Sequence, residues 1–480
     1  MSKDFPSPSS PNPGLPGCYQ SLSDQQIQRI HEASCEILAR TGVRFHHPEA
    51  VELFQKAGAE IADGSIVRIP VELIEQALES APKSITIYDQ DGGAALDVGG
   101  CRNYYGPGSD CLFIYDLDTG LRRKAVLEDV INGVRLVDSL PNLDFIMSMF
   151  LPSDVPADVY ERQQMAVMLR ESRKPIIFVG IEGTSTRYAI KMAAAAAGGV
   201  QELQQRPFII NYVNTTSAFQ HNKESVDRLL RAAENSIPTI YAPGKHRGMT
   251  SPITQAGALA LGTAGQLAGL VLSQLKKKGS PFIVSNPGHG TLDMRTMLGL
   301  YNAPDDGPYG WDMARHYQLP TFAVAGASDS KVFDAQAAAD AALSLFSVSI
   351  GGANLIHDIG YLDCAMTGSL ELVLLCNEII GWLKRYLSDL EINQDTLALD
   401  LIHEIGPDGY FLQAKHTLQH VREDWVPSLF DRYDYQQWME YGRTTLQDRA
   451  KKLTRELIAS HQPKTLSRST EKQLQAILQE

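Results

Sequence analysis

Within residues 319–361, two apolar runs each end in side chains able to bind or react. Ser328, Asp329 and Lys331 follow the first run, and His357, Asp358 and Tyr361 follow the second. Other apolar runs close the same way, on Asn211-Tyr212-Val213-Asn214-Thr215, Pro243-Gly244-Lys245-His246 and Asn286-Pro287-Gly288-His289. Carboxylate, ammonium, imidazole and amide groups of this kind can ligate a metal, form a Schiff base or anchor a charged substrate.

Each option leaves its own mark on a sequence. His289 and His357 could share a metal ion, although no amidohydrolase-like cluster of Asp and His surrounds them. His416 and His420 stand four apart on a helical stretch without an H-E-x-x-H, which reads as a solvated or hydrogen-bonded helix face. No G-x-S-x-G elbow and no P-loop is present. Lys245 and Lys331 are placed for a Schiff base, but lysines at such positions more commonly pair a carboxylate. What remains is an aromatic rim of Tyr104, Tyr105, Tyr212, Tyr309, Trp311 and Tyr361, with Arg315 nearby. Aromatic faces gathered round one mouth suit a cation with an apolar skin, such as a quaternary ammonium.

The elements that must hold these groups recur along the chain. Pro175, Pro207, Pro238, Pro281 and Pro320 each open a short apolar run, about 30–45 residues apart, the length of one strand–helix unit. Proline is tolerated at the first residue of a strand, where its missing N–H breaks no ladder. Runs at 145–150 and 353–358 add two strands, and Tyr104-Tyr105 or 111–115 offers an eighth. Helical stretches fall between them at 158–170, 186–197, 223–235, 254–278 and 334–348. Continuous apolar strands alternating with helices imply a parallel sheet covered on both faces. Seven or eight such units, with no G-x-G-x-x-G after any strand, predict an α/β fold of the TIM (β/α)8 barrel type. The expected organisation is a disordered leader over 1–20, a helical and β-ribbon segment over 21–142 and a barrel core over 143–390. A C-terminal helical extension follows over 391–480.

The 480 residues carry a formal charge of −13, which argues against a nucleic-acid surface. No apolar run in the sequence approaches a membrane span, and the Pro- and Ser-rich N-terminus lacks the apolar core of a signal peptide. Six scattered cysteines without a C-x-x-C are expected as reduced thiols of a cytoplasmic protein.

Several separated motifs, in order, resemble the trimethylamine methyltransferase superfamily: YDLDTGLRRKAVLEDV, LDFIMSMFLPSDVP, SDSKVFDAQAA, GANLIHDIGYLD and GYFLQAKHTLQHVRED. The resemblance implies a TIM barrel that moves a methyl group from an amine to Co(I) of a corrinoid on a small partner protein. The archaeal trimethylamine enzymes place pyrrolysine in the barrel, whereas every residue here is a standard amino acid. The chain is therefore similar to the non-pyrrolysine branch, exemplified by glycine betaine:corrinoid methyltransferase. A quaternary nitrogen has no lone pair, so no proton or metal can activate it, and a strongly nucleophilic cofactor does the hard chemistry. No catalytic residue is then required beyond substrate positioning, for which Asp329 is the first choice.

On this reading Tyr104, Tyr105, Tyr309 and Trp311 form the cage around the trimethylammonium. Arg315 and His357 bind the betaine carboxylate, with Asn214, His289 and Lys331 as further substrate contacts. The expected substrate is glycine betaine, released as dimethylglycine. Proline betaine, carnitine or butyrobetaine remain open, as do a non-catalytic betaine-binding protein and a metal-dependent barrel lyase or hydrolase. No resident metal is expected, and the expected assembly is a homo-oligomer.

Overall fold

The computed structural model describes residues 18–244, 246–287, 290–303 and 307–480. Seven parallel strands form its central sheet: β1 (Tyr104–Pro107), β2 (Ile176–Val179), β3 (Ile209–Thr215), β4 (Thr239–Pro243), β5 (Phe282–Ser285), β6 (Thr321–Val324) and β7 (Leu355–Ile359). Their spatial order is β1-β7-β6-β5-β4-β3-β2. All five proline-led runs are strands, and each starts one or two residues past its proline. The expected 353–358 strand is β7, and Tyr104-Tyr105 opens β1, so the sheet draws one strand from the 21–142 segment.

The expected strand at 145–150 is absent as such. Met149 has a φ of +60°, which turns the chain out of extended geometry after only a few residues. Ile146 forms a single parallel bridge with Ile176 of β2, and the Asp144 and Phe145 N–H groups donate to Tyr105 O of β1. The described sheet is thus a curled array of seven strands, not eight. Phe113–Tyr115, the other candidate, belongs to a separate small sheet with Tyr361–Leu362, Thr367–Gly368 and Arg122–Lys124.

Helices return between the strands: α1 (Tyr160–Glu171), α2 (Gly183–Ala197), α3 (Lys223–Glu234), α4 (Gln255–Lys276), α5 (Tyr309–Tyr317), α6 (Ala335–Ile350) and α7 (Leu370–Tyr386). Asp334 and Ser369 cap α6 and α7 by accepting backbone N–H groups of Ala337 and Leu372. α4 is long and apolar enough to cross a membrane, contrary to the sequence expectation, yet 89% of its apolar window is buried inside the fold. It packs against the N-terminal helices Asp24–Glu36 and Val71–Ser80 and against α3. Cys18 and Cys101 form a disulfide, which corrects the expectation that all six cysteines are thiols.

Side-chain alternation on the strands sorts the inner face into layers. Ile177, Ile210, Ile240, Ile283, Phe322 and Leu355 make one apolar layer. The hairpin of Ile85–Tyr88 and Ala94–Val98 packs beneath it through Ile85, Ile87, Leu96 and Val98. Two residues farther along each strand come Val179, Tyr212, Ala242, Ser285, Val324 and His357. Polar groups enter the sheet interior at that second layer, toward the C-terminal ends of the strands.

Candidate active site at the C-terminal ends of the strands

A cavity of about 520 Å³ opens above the second layer. Tyr212 and Asn214 of β3, Ser285 of β5, Phe322 and Val324 of β6 and His357 of β7 line its floor. Residues 290–303, Trp311 of α5 and the Cys364–Met366 turn form its sides. The His357 ring stacks on Phe322 at 3.8 Å with 12° between planes. Tyr212 meets Phe322 at 4.8 Å and presents an edge to His357 at 5.7 Å. The floor is therefore a continuous aromatic surface.

Carboxylates flank this floor. Asp358, with a φ of +68°, follows His357 and is buried. Its Oδ1 lies 2.7 Å from His357 Nδ1 but off the in-line direction of a hydrogen bond. A Cβ on Gly108 would overlap both Asp358 and the Tyr361 ring, so glycine is required for this close approach. The Tyr361 hydroxyl donates to Ser109 O. Burial pushes the Asp110 carboxyl up to about 6, helped by the charges of Glu161 and Asp358 and opposed by a hydrogen bond from Ser109. Burial likewise raises the Glu161 carboxyl, although Ser185 and the Ile181 N–H bond to it.

Asp110, Tyr212 and Tyr301 share an informative environment. Each keeps part of its surface accessible, yet each is so enclosed by protein that burial is the main force raising its pKa. Tyr212 and Tyr301 line the cavity, and Asp110, which does not line it, acts on Tyr212 through its charge. Asp358 adds to the rise at both tyrosines. Among the described residues, no lysine or arginine forms an ion pair with Asp110 or Asp358. The site is anionic and aromatic together.

The expected site residues divide. His357, Trp311 and Asn214 line the cavity. Asp329 lies behind it and accepts the Tyr301 N–H through both carboxylate oxygens, at 3.0 and 3.2 Å, so it positions a wall residue. Tyr104 sits at the opposite end of the sheet, where its hydroxyl accepts the Asp97 N–H at 3.0 Å. Tyr105, one residue on, points outward, and its hydroxyl bonds Ser349 at 2.8 Å. Tyr309 packs among the α4-side core residues instead. Arg315 pairs with buried Asp312 and donates to Gly351 O and, at 2.9 Å, Tyr19 O. Lys331 is exposed, and its Nζ donates to Asp329 O at 2.7 Å. His289 and Lys245 lie outside the described residues.

The sequence reading missed Tyr301, Phe322, Asp110 and Arg247. Phe322 and Tyr212 follow from strand alternation counted back from His357. Tyr301 and Asp110 sit in loops whose path no periodicity reports. Arg247 is buried in the loop after β4. Its guanidinium donates to Thr291 Oγ1, and its N–H donates to Gly290 O at 2.9 Å. Gly290 and Thr291 both line the cavity.

His416, His420 and Asp395 come within 4.8 Å of one another at a separate surface location. His420 lies between two carboxylates, 2.7 Å from Glu423 and 3.3 Å from Asp395. The expectation of a hydrogen-bonded helix face is met there, with metal-ligand spacing added to it.

A family model for trimethylamine methyltransferase (MTTB) matches residues 10–480. The chain belongs to the trimethylamine methyltransferase family. It is 30% identical over 468 residues to glycine betaine methyltransferase of Desulfitobacterium hafniense strain Y51, covering 96% of each protein. It is 29% identical to trimethylamine methyltransferase MttB of D. hafniense strain DSM 10664 / DCB-2, covering 96% of this chain and 93% of the relative. The solved structure of Methanosarcina barkeri monomethylamine methyltransferase (MtmB) matches 92% of this chain and 89% of its own, with a TM-score of 0.53 at 12% identity. That last likeness concerns the fold. Membership in this methyltransferase family fits a cavity whose walls offer aromatic faces and negative charge.

Proposed function

We propose that this methyltransferase removes one methyl group from a quaternary amine of the betaine class. The observation carrying this reading is the aromatic floor of Tyr212, Phe322 and His357 flanked by Asp110 and Asp358, carboxylates with which no described lysine or arginine forms an ion pair. A trimethylammonium group is a permanent cation with an apolar surface. It gains from aromatic faces and buried negative charge without needing a hydrogen-bond partner.

The relative of the same length and 30% identity named glycine betaine methyltransferase makes glycine betaine the first substrate to consider. Among the described residues, Arg247, held at the rim through Thr291, and His246, which lines the cavity, are basic groups placed to meet a betaine carboxylate. A cavity of about 520 Å³ also has space for a longer betaine such as carnitine, butyrobetaine or proline betaine.

Loss of a methyl from nitrogen breaks a C–N bond and leaves its electron pair on a neutral tertiary amine, here dimethylglycine. A Co(I) corrinoid, carried by a separate small protein, supplies the nucleophile for this step. Such a macrocycle is far larger than the cavity, so the residues fit the methyl donor, with the acceptor meeting it at the mouth. Tyr212, Phe322 and Tyr301 hold the cation and exclude water, so one N-methyl points outward. Asp329 fixes Tyr301 through its backbone. No side chain need move a proton. We further read the bridges at Asp144–Ile146 as the eighth unit that closes a (β/α)8-type barrel.

Methylation of cob(I)alamin, followed by loss of the Co(I) absorbance, tests the reading across a panel of betaines and methylamines. Turnover is expected with at least one betaine and none with uncharged analogues. Absence of transfer from every quaternary amine contradicts it.

A further inference from the structure

His416 and His420 have no part in the cavity, yet their surroundings go beyond a solvated helix face. Both stand on the short helix Lys415–His420, four residues apart and so on one side of it. Their ring centroids are 4.2 Å apart. A second short helix, Gln394–Leu397, brings Asp395 against them. One nitrogen of each ring and a carboxylate oxygen of Asp395 lie within 4.8 Å of one another. None of the three lines the cavity.

Hydrogen bonds fix two of these groups. The Asn393 side chain accepts the N–H groups of Asp395 and Thr396, both at 2.9 Å. Glu423 Oε1 is 2.7 Å from His420 Nδ1, and a carboxylate only accepts, so Nδ1 carries the proton. In the neutral ring this leaves the Nε2 lone pair facing Asp395 Oδ2 at 3.3 Å. Two acceptors opposed in this way repel unless a positive centre lies between them. A proton serves two groups, whereas a metal ion serves three, and His416 is the third. Ligand atoms bound at about 2.0–2.1 Å in tetrahedral geometry sit roughly 3.3 Å apart, as Nε2 and Oδ2 do.

We propose that Asp395, His416 and His420 bind one Zn2+ ion, with Glu423 holding His420 in its ligating tautomer. Two imidazoles and a carboxylate form a donor set that suits zinc rather than the oxygen-seeking Ca2+ or Mg2+. A carboxylate behind a ligating imidazole is the usual outer support of such a site. Residues 389–424 hold eight Asp and Glu against two Lys and Arg, a balance that favours a cation here. The ion's task is structural. Neither helix buries a residue, and helices this short do not persist by propensity alone. Joining position 395 to positions 416 and 420 closes the loop between them and holds both helices in place.

Calorimetry on the full-length protein, stripped with a chelator and titrated with ZnCl2, tests the site. The wild type should saturate at one equivalent per chain. The double variant His416→Ala, His420→Ala should lose that equivalent. Glu423→Gln should keep it with affinity about tenfold weaker. No saturable uptake by the wild type means an ion pair only and overturns the proposal. An unchanged equivalent in the double variant puts the zinc elsewhere and also overturns it. Should the double variant not fold, carbethoxylation of wild-type histidines read by mass spectrometry decides: shielding of His416 and His420 by zinc supports the site, and unaltered labelling of both refutes it.

Discussion

Asp110 links the chemistry of the cavity to pH. Its carboxyl is pushed up to about 6, above the roughly 3.9 of an unfolded aspartate. Its contribution to stability is therefore fully present below that lower value and is lost as pH rises through about 6, by about 3 kcal/mol at most. Asp110→Asn should flatten this step in denaturant titrations. A bound cation favours the ionised form, so betaine should bind several-fold more weakly as pH falls through about 6. Calorimetry on wild type should show this loss and the associated proton release, and Asp110→Asn should show neither. At Tyr212 the aromatic face is what matters. Tyr212→Phe should keep betaine affinity, whereas Tyr212→Leu should weaken it about tenfold, the scale of one desolvated cation–π contact.

At the scale of elements, Arg315 changed its role between sequence and structure. It follows Tyr309 and Trp311, of which Trp311 lines the cavity, but on a helix the spacing from Trp311 to Arg315 does not fix where a long side chain ends. Here it joins α5 to Asp312, Gly351 and the N-terminal Tyr19. Arg315→Ala should cost about 2 kcal/mol of stability, because buried Asp312 loses its charged partner and keeps only the Ser21 and Leu22 donors. Betaine affinity measured on the folded fraction should be unchanged; a lost affinity at full stability contradicts this assignment. The strands were legible because proline marks their first residues and continuous β-branched runs mark their bodies. Alternation then orders the inner face, which placed His357 with the cavity but turned neighbouring Tyr104 and Tyr105 to opposite sides, neither of them toward it. The interrupted run at 145–150 was not legible, since a positive φ at Met149 leaves no trace in an apolar sequence. Asp110, Arg247 and Tyr301 come from loops, where distance along the chain says little about meeting in space.

For the whole molecule, the two ends of the sheet have separate tasks. The N-terminal end is closed by an apolar hairpin. The C-terminal end carries the aromatic cavity with carboxylates beside it. The central claim is that the cavity holds the quaternary nitrogen of a betaine. A crystal structure of the protein soaked with glycine betaine measures this most directly. The account predicts density for the trimethylammonium against Tyr212, Phe322 and Tyr301, with the carboxylate toward Arg247. Density at another location, or an empty cavity at saturating betaine, would contradict it.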